Sequence, residues 1–211
     1  MTESSPVYLR EIATDSLVAA ELLTPVTDRQ ILDWETLWKP ATEKRKSLLS
    51  SKGVPASEMP QTGHWLWDQK LHEIQSLISH MSFAVTCNSQ TQGLMRLDLA
   101  TQRSRIESTK NQHLVYIDYL EVAPWNWTDP RFDPPKYKLA GSLLLGAAIQ
   151  ISQMNDFKGR VGLHSLPQAV SWYNKCGFTN FGADSSYKGN LPYMEITTEN
   201  ANRFLELGVS K

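Results

Sequence analysis

The chain has 211 residues, enough to bury a sizeable core, and its 41% hydrophobic and 20% charged residues fit a folded protein rather than a disordered one. A formal net charge of −1 gives no general pull toward nucleic acid or an anionic membrane. Two cysteines, Cys87 and Cys176, form neither a disulfide framework nor a zinc spacing, and none of the five histidines makes an i, i+4 metal pair.

Met1–Ser5 lacks the basic, apolar and small-residue succession of a signal peptide, and no apolar run reaches the roughly 18 residues of a membrane span. A cytosolic location is the expectation. In chain order, Val7–Ile12 alternates as a first strand, and helical spacing runs from Thr27 to Leu49 with Ile31, Trp34 and Trp38 near one face. Ser50–Gly63 is polar and bears Pro and Gly, so it reads as a loop. His64–Ser79 reads as a second helix burying Leu71, Ile74 and Ile78. Met81–Asn88 and Gly93–Ala100 flank the turn-like Ser89–Gln92 as an antiparallel pair.

His113–Val122 is the longest β-branched and aromatic run and is predicted as the central strand. Four prolines keep Ala123–Lys136 irregular. A helix from Tyr137 to about Met154 is predicted to bury Ala140, Leu143, Leu144, Ala147 and Ile151. Gly159–Leu166 is a short strand, and Pro167–Gly177 a helix opened by its proline and stopped by its glycine. Phe178–Gly182 and Leu191–Thr198 supply two last strands. This order implies an α/β (α+β) fold: one domain over 1–211 with a mixed, mostly antiparallel sheet, a parallel crossover near its middle, and flanking helices.

The start of the helix after the proline-rich loop carries the main functional signal. A helix N-terminus leaves about four backbone N–H groups unpaired and carries roughly half a positive charge, so a strand feeding it makes an anion site if side chains do not block it. Gly141 and Ser142 lie in that first turn, flanked by Lys136 and Lys138. Tight helix–sheet packing is the competing explanation of Gly141. Gly141 and Gly146 have P-loop spacing, but Ala147 and Ala148 stand where its Lys and Ser/Thr belong. No G-x-G-x-x-G occurs.

Three stretches, "YLEVAP" (119–124), "KYKLAGSLLLGAA" (136–148) and "AVSWYNKCGF" (169–178), resemble the GNAT acetyltransferase superfamily. They are similar to its fourth strand with hydrophobic-x-Val-x-Pro, its Gln/Arg-x-x-Gly-x-Gly/Ala loop and helix, and its A-x-x-x-Y-x-x-x-G-F segment. The likeness covers about Met81–Thr198, with 13–80 corresponding to variable helices on the acceptor side. Lys136, Leu139 and Leu166 depart from the pattern, but a pyrophosphate is held by backbone N–H groups, which such changes leave in place.

The resemblance implies a GNAT-like sheet with a central, splayed parallel strand pair, and acetyl-CoA as co-substrate. The backbone of Leu120, Glu121 and Val122 would meet the pantetheine arm. Lys136, Lys138, Leu139, Ala140, Gly141 and Ser142 would meet the diphosphate, and Asn174 either approaches the cofactor or is a plain surface residue. Tyr173 matches the tyrosine that protonates the leaving thiolate; an interior aromatic beside Trp172 and Phe178 is the alternative. Asp118 interrupts an apolar strand as a candidate base or as a partner for Arg96, with Glu121 on the opposite face as the alternate base.

His164 is read as a satisfied core residue, and Cys176 as a small buried one rather than a nucleophile. Trp34, Trp38, Trp65 and Trp67 either cap an acceptor pocket or pack two helices, and Lys39–Lys46 reads as a solvated helix face.

The expected activity is acetyl transfer from acetyl-CoA to the primary amine of a small molecule, peptide or protein. The alternatives are a non-catalytic acyl-CoA sensor or scaffold and a toxin-type enzyme acting on aminoacyl-tRNA. The near-neutral charge argues against nucleic acid. The acyl group would be set around Tyr116 and Tyr119. A homodimer could pair through "YMEITT".

Overall fold

The computed structural model describes residues 2–208. In chain order its elements are β1 (Glu3–Glu11), β2 (Ser16–Thr24), α1 (Asp28–Asp33), α2 (Lys39–Ser51), α3 (Trp67–His72), β3 (His80–Cys87) and β4 (Gln90–Asp98). There follow β5 (Val115–Val122), β6 (Tyr137–Lys138), α4 (Ala140–Met154), β7 (Val161–His164), α5 (Val170–Lys175), β8 (Phe178–Ala183), β9 (Pro192–Ile196) and α6 (Thr198–Gly208). The hydrogen-bonded strand order is β6-β1-β2-β3-β4-β5-β7-β9-β8, antiparallel on both flanks with the pair β5/β7 parallel. The predicted fold class holds: a mixed, mostly antiparallel sheet with one parallel pair and flanking helices.

Contacts group the chain into two compact units. The first comprises Met1–Ser76, Ser82–Met95 and Leu120–Leu144, the second Leu77–Met81, Arg96–Tyr119 and Leu145–Lys211. Met1 and 209–211, the ends of the expected 1–211 domain, lie outside the described residues.

In the first unit, β1 and β2 form a hairpin in full register from Glu3↔Thr24 to Glu11↔Ser16. Ser16–Thr24, with its Ala, Glu and Leu, carries no strand signal in the sequence; pairing with β1 and with Ala84–Thr86 of β3 makes it a strand. The helical stretch predicted from Thr27 is present, with Gln30 Oε1 accepting the Thr27 N–H at its start. It runs from α1 through one π turn, Trp34–Trp38, into α2. Pro40 has no N–H and would break an α-helical ladder here. The wider turn, closed by the Lys39 N–H on the Trp34 carbonyl, accommodates it.

Trp34 and Trp38 are buried, and Trp38 Nε1 donates to the Thr91 carbonyl. The carboxylate of buried Asp33 accepts from the Thr91 N–H and hydroxyl, tying the helix to β4. The second predicted helix is far shorter than expected: only Trp67–His72 is helical. Ile74 is buried as predicted, but Ile78 is fully exposed, because the chain leaves the helix before reaching it.

The predicted helix start at Tyr137 is also corrected. Tyr137 and Lys138 pair with Glu11 and Arg10 as β6, and the helix begins at Ala140. Ala140, Leu144 and Ala147 are buried as predicted, together with Leu145, Ala148 and Ile149; Leu143 and Ile151 are half-buried.

In the second unit, β9 lies between β7 and β8, with pairs running from Val161↔Ile196 to His164↔Tyr193 on one side. Both edges of β9 are therefore occupied, which excludes dimer pairing through "YMEITT". The last strand ends at Ile196 rather than Thr198, and an unpredicted helix, α6, follows. Leu114, Tyr116 and Tyr193 form a buried cluster. A Cβ at Gly162 would stand 2.7 Å from the Tyr193 hydroxyl, so glycine is what lets that ring lie across β7.

Candidate active site

The parallel register of β5 and β7 covers only Val115↔Val161, Tyr116↔Gly162 and Ile117↔Leu163, whereas β5 runs on to Val122. β7 ends at His164, so the later part of β5 runs on beyond its register with β7. Past Ile117 the strand carries Asp118 and the segment Leu120–Val122. Trp127 Nε1 donates to the Val122 carbonyl at 2.9 Å, so one of that oxygen's lone pairs is taken by the protein.

The loop after β5 is fastened by two buried amides. The Ala123 N–H reaches the Gln92 carbonyl, while Gln92 Oε1 accepts from Trp125 Nε1 at 2.8 Å and Asn126 Nδ2 at 3.0 Å. Asn126 Oδ1 in turn accepts the Tyr137 N–H at 2.9 Å, and the Lys136 N–H bonds the Trp125 carbonyl at 3.0 Å. This network fixes where β6 ends. Leu139 then adopts φ +80°, a left-handed conformation that glycine enters without cost. Leu139 holds this conformation although it carries a side chain.

The first helical bond of α4 runs from the Leu143 N–H to the Leu139 carbonyl, 2.9 Å. The amides of Ala140, Gly141 and Ser142 have no preceding turn to bond, as at any helix start. Lys136 and Lys138 are exposed beside them; the Lys136 ammonium lies 5.1 Å from the Tyr137 ring centre, and the Lys138 backbone lies opposite Arg10 in the β1/β6 register.

Glu121 is 93% buried (7% exposed) in the first unit. Trp67 Nε1 donates to its Oε2 at 2.6 Å, from a ring that is itself fully buried. Burial pushes the carboxyl up to about 7, the neighbouring Thr62, the Trp67 bond and the charge of Lys70 acting the other way. The buried Thr62 hydroxyl favours the anion from nearby but has no partner in hydrogen-bonding geometry.

In the second unit, Asp118 accepts from Arg96 Nε at 2.9 Å, with His80 Nε2 at 4.0 Å. Burial raises its pKa against the opposing pull of Arg96. The pairing with Arg96, one of the two readings of Asp118, is the geometry present.

Tyr173 on α5 is buried, edge-on to Trp172 and Phe178 with ring centres 4.8 and 5.3 Å away. Burial, with Cys176 adding to it, drives its pKa well above that of a free phenol, so it stays protonated. Asn174 is exposed. Burial pushes the Cys176 thiol up to about 12, which removes its thiolate at neutral pH. His164 is satisfied on both ring nitrogens: Nδ1 lies 2.6 Å from the Tyr116 hydroxyl and Nε2 3.0 Å from Asp184, with Tyr187 stacked on its face.

Among the sequence candidates, Glu121 and the Leu139–Ser142 turn thus fall in the first unit, and Asp118, Tyr173 and Asn174 in the second. Sequence reasoning missed Thr62, Lys70, Gln92 and Asn126. Thr62 sits in a loop with no periodic signal, and Gln92 looks like a turn residue. Among the described residues no helix is long and apolar enough to cross a membrane, and no group of His, Cys, Asp and Glu could hold a metal.

No family model matches the chain, and no curated protein matches it by sequence. Solved structures do. FeeM, an N-acyl amino acid synthase from uncultured soil microbes, is 9% identical at a TM-score of 0.53, covering 98% of this chain and 95% of its own. The GNAT domain of PAT from S. lividans is 13% identical with a TM-score of 0.48, covering 92% and 96%. The PaiA N-acetyltransferase from Thermoplasma acidophilum, in complex with coenzyme A, is 19% identical at a TM-score of 0.47, covering 83% and 98%. At such identities the likeness speaks to fold alone. The strand order, with β5 and β7 paired in parallel, belongs to a fold that this chain shares with FeeM over nearly its whole length.

Proposed function

We propose that the chain is an acetyl-CoA-dependent N-acetyltransferase that moves an acetyl group directly to a primary amine, with 1–211 acting as one catalytic domain. Residues 13–80, which include β2 as well as helices, are its acceptor side, and 81–198 its cofactor core. The observation that carries the reading is Glu121: a buried carboxyl with pKa about 7, held by the Trp67 indole, on the part of β5 beyond its register with β7. A base poised near neutral pH is what an amine acceptor needs, because a lysine-type amine is protonated there and must lose that proton before attack.

The residues present fit the cofactor. The amides of Ala140, Gly141 and Ser142 would offer donors to a diphosphate, Lys136 and Lys138 would add charge, and a pantetheine arm would meet β5 beyond its register with β7. Acetyl-CoA, when bound, supplies an activated thioester carbonyl. Glu121 takes the amine proton. Tyr173, held protonated by burial, gives a proton to the leaving thiolate. Asp118, neutralised by Arg96, serves as a structural ion pair rather than the base.

The test is a thermal-shift series with CoA and several acyl-CoAs, followed by thiol release with panels of amines. Acetyl-CoA should raise the melting temperature by mass action, and Tyr173→Phe should lower kcat with cofactor affinity kept. A melting curve unmoved by acetyl-CoA and CoA well above micromolar levels overturns the proposal. A shift without turnover on any amine favours an acyl-CoA-binding protein instead.

A further inference from the structure

The surroundings of Glu121 are built from residues that the acyl-transfer chemistry does not itself require. Trp67 opens α3 with its ring wholly buried and spends its one donor on Oε2 of Glu121 at 2.6 Å. That donor reaches one carboxylate oxygen and leaves the other, Oε1, unengaged by the indole. Thr62, five residues earlier, is 7% exposed and carries a hydroxyl with no hydrogen-bond partner. A buried hydroxyl left unpaired costs on the order of 1–3 kcal/mol, so a native fold keeps one where something else completes it.

Resting on the proposed transferase reading, we infer that Trp67 and Thr62 are the positioning residues of the acceptor site. The indole of Trp67 fixes Glu121 through Oε2, and the Thr62 hydroxyl and Oε1 together seat the nitrogen of a primary amine. The chemistry suits that ligand. A primary amine offers N–H donors to both oxygens while keeping its lone pair for attack. Glu121 first passes the ammonium proton on to solvent and returns to the carboxylate; when the neutral amine then attacks the thioester carbonyl, the N–C bond forms, one amine proton passes to Oε1, and the C–S electron pair leaves with the thiolate, which takes its proton from Tyr173. A secondary amine keeps one N–H and could satisfy only one of the two oxygens, so it should be a poorer acceptor.

Trp67 also sets when the base is available. Its N–H favours the carboxylate over the neutral acid, as do Thr62 and the charge of Lys70, against the burial that raises the carboxyl. Removing the indole donor therefore moves the titration further up. A hydrogen bond to a charged group is worth enough to shift it by about one to two pH units.

The experiment compares wild type, Trp67→Phe and Thr62→Val, each checked for a cooperative melt, by two readouts. The first is direct titration of the Glu121 carboxyl carbon by NMR in 13C-glutamate-labelled protein, assigned with Glu121→Gln. The second is the pH dependence of kcat, with KM for a primary amine and its N-methyl analogue. Both variants should move the titration upward, Trp67→Phe by about one to two pH units, and the acid limb of kcat should follow it. Thr62→Val should raise KM for the primary amine about tenfold and narrow the preference over the N-methyl amine, in line with one lost hydrogen bond.

An unmoved carboxyl titration in folded Trp67→Phe overturns the role of Trp67; should that variant not fold, Trp67→Met, which also lacks the donor, is titrated in its place. Unchanged KM and amine preference in Thr62→Val overturn the amine seat. Absence of acyl transfer in wild type sinks the enzyme reading instead, and the NMR titration still decides the positioning of Glu121.

Discussion

Each unit of the molecule buries a glutamate, and the two are treated differently. Glu195 on β9, fully buried, is met on both oxygens: Ser104 Oγ donates to Oε1, and the Arg105 N–H and Tyr193 hydroxyl to Oε2 at 2.7 and 3.0 Å. Glu121 on β5 is almost as buried, yet the bond it receives in good geometry is the one from Trp67, and its carboxyl is pushed up to about 7. Burial alone does not mark a reactive group. A carboxylate saturated with donors ties loops and strands together, whereas one left with an unengaged oxygen and a near-neutral pKa can take a proton.

The largest expected effect comes from removing the spare carboxylate. Glu121→Gln should lower kcat by about 10²–10⁴-fold, the usual worth of a general base, measured in the thiol-release assay once an acceptor is found. The same variant should stabilise the fold at high pH. The folded pKa of about 7 lies above the ordinary value of 4.5, so the stability linked to this group is complete below about pH 4.5. It is then lost as pH rises through 7, by about 3 kcal/mol in all. Urea unfolding of wild type at pH 5 and pH 8 should show that decline, and Glu121→Gln should flatten it.

The saturated glutamate should behave in the opposite way. Glu195→Ala strands the donors from Ser104, Arg105 and Tyr193 and should cost about 3 kcal/mol or more by urea unfolding at neutral pH. If Glu195→Ala is tolerated while Glu121→Gln unfolds the protein, the contrast between the two sites is reversed.

Asp118→Asn sharpens the assignment of the base. It replaces the carboxylate that Arg96 Nε meets at 2.9 Å by a neutral amide, and should cost about 1–3 kcal/mol of stability while lowering kcat by less than tenfold. A loss of activity equal to that of Glu121→Gln would move the base to Asp118. The smallest effect concerns the turn before α4. At Leu139, with φ +80°, a glycine should be more stable than an alanine by about 1 kcal/mol, because only alanine keeps the Cβ that crowds a left-handed backbone. Thermal melts of Leu139→Gly and Leu139→Ala measure it; alanine matching glycine would mean that the turn relaxes.

Much of the core was legible because its signals are local. The β-branched run at 113–122 is β5, the apolar period after Ala140 is α4, and proline and glycine bracket the turn of α5. Ser16–Thr24 was illegible because its composition favours helix, and only a partner in register makes it a strand. The helix expected to reach Ser79 ends at His72, which leaves Ile78 in solvent.

For the site, the sequence by itself determined which residues could do chemistry: a tyrosine in the A-x-x-x-Y-x-x-x-G-F frame, two acids on one strand, and a bare turn at Gly141. It also placed Asp118 and Glu121 on opposite faces, since positions three apart on a strand alternate. Only the tertiary structure shows how differently the two are surrounded. Arg96 on β4 occupies Asp118, and Trp67, brought from 54 residues away, holds Glu121 where water is scarce. The reason is physical: strand parity follows from covalent geometry, whereas a carboxyl's pKa depends on what packs around it, and those neighbours are distant in the chain.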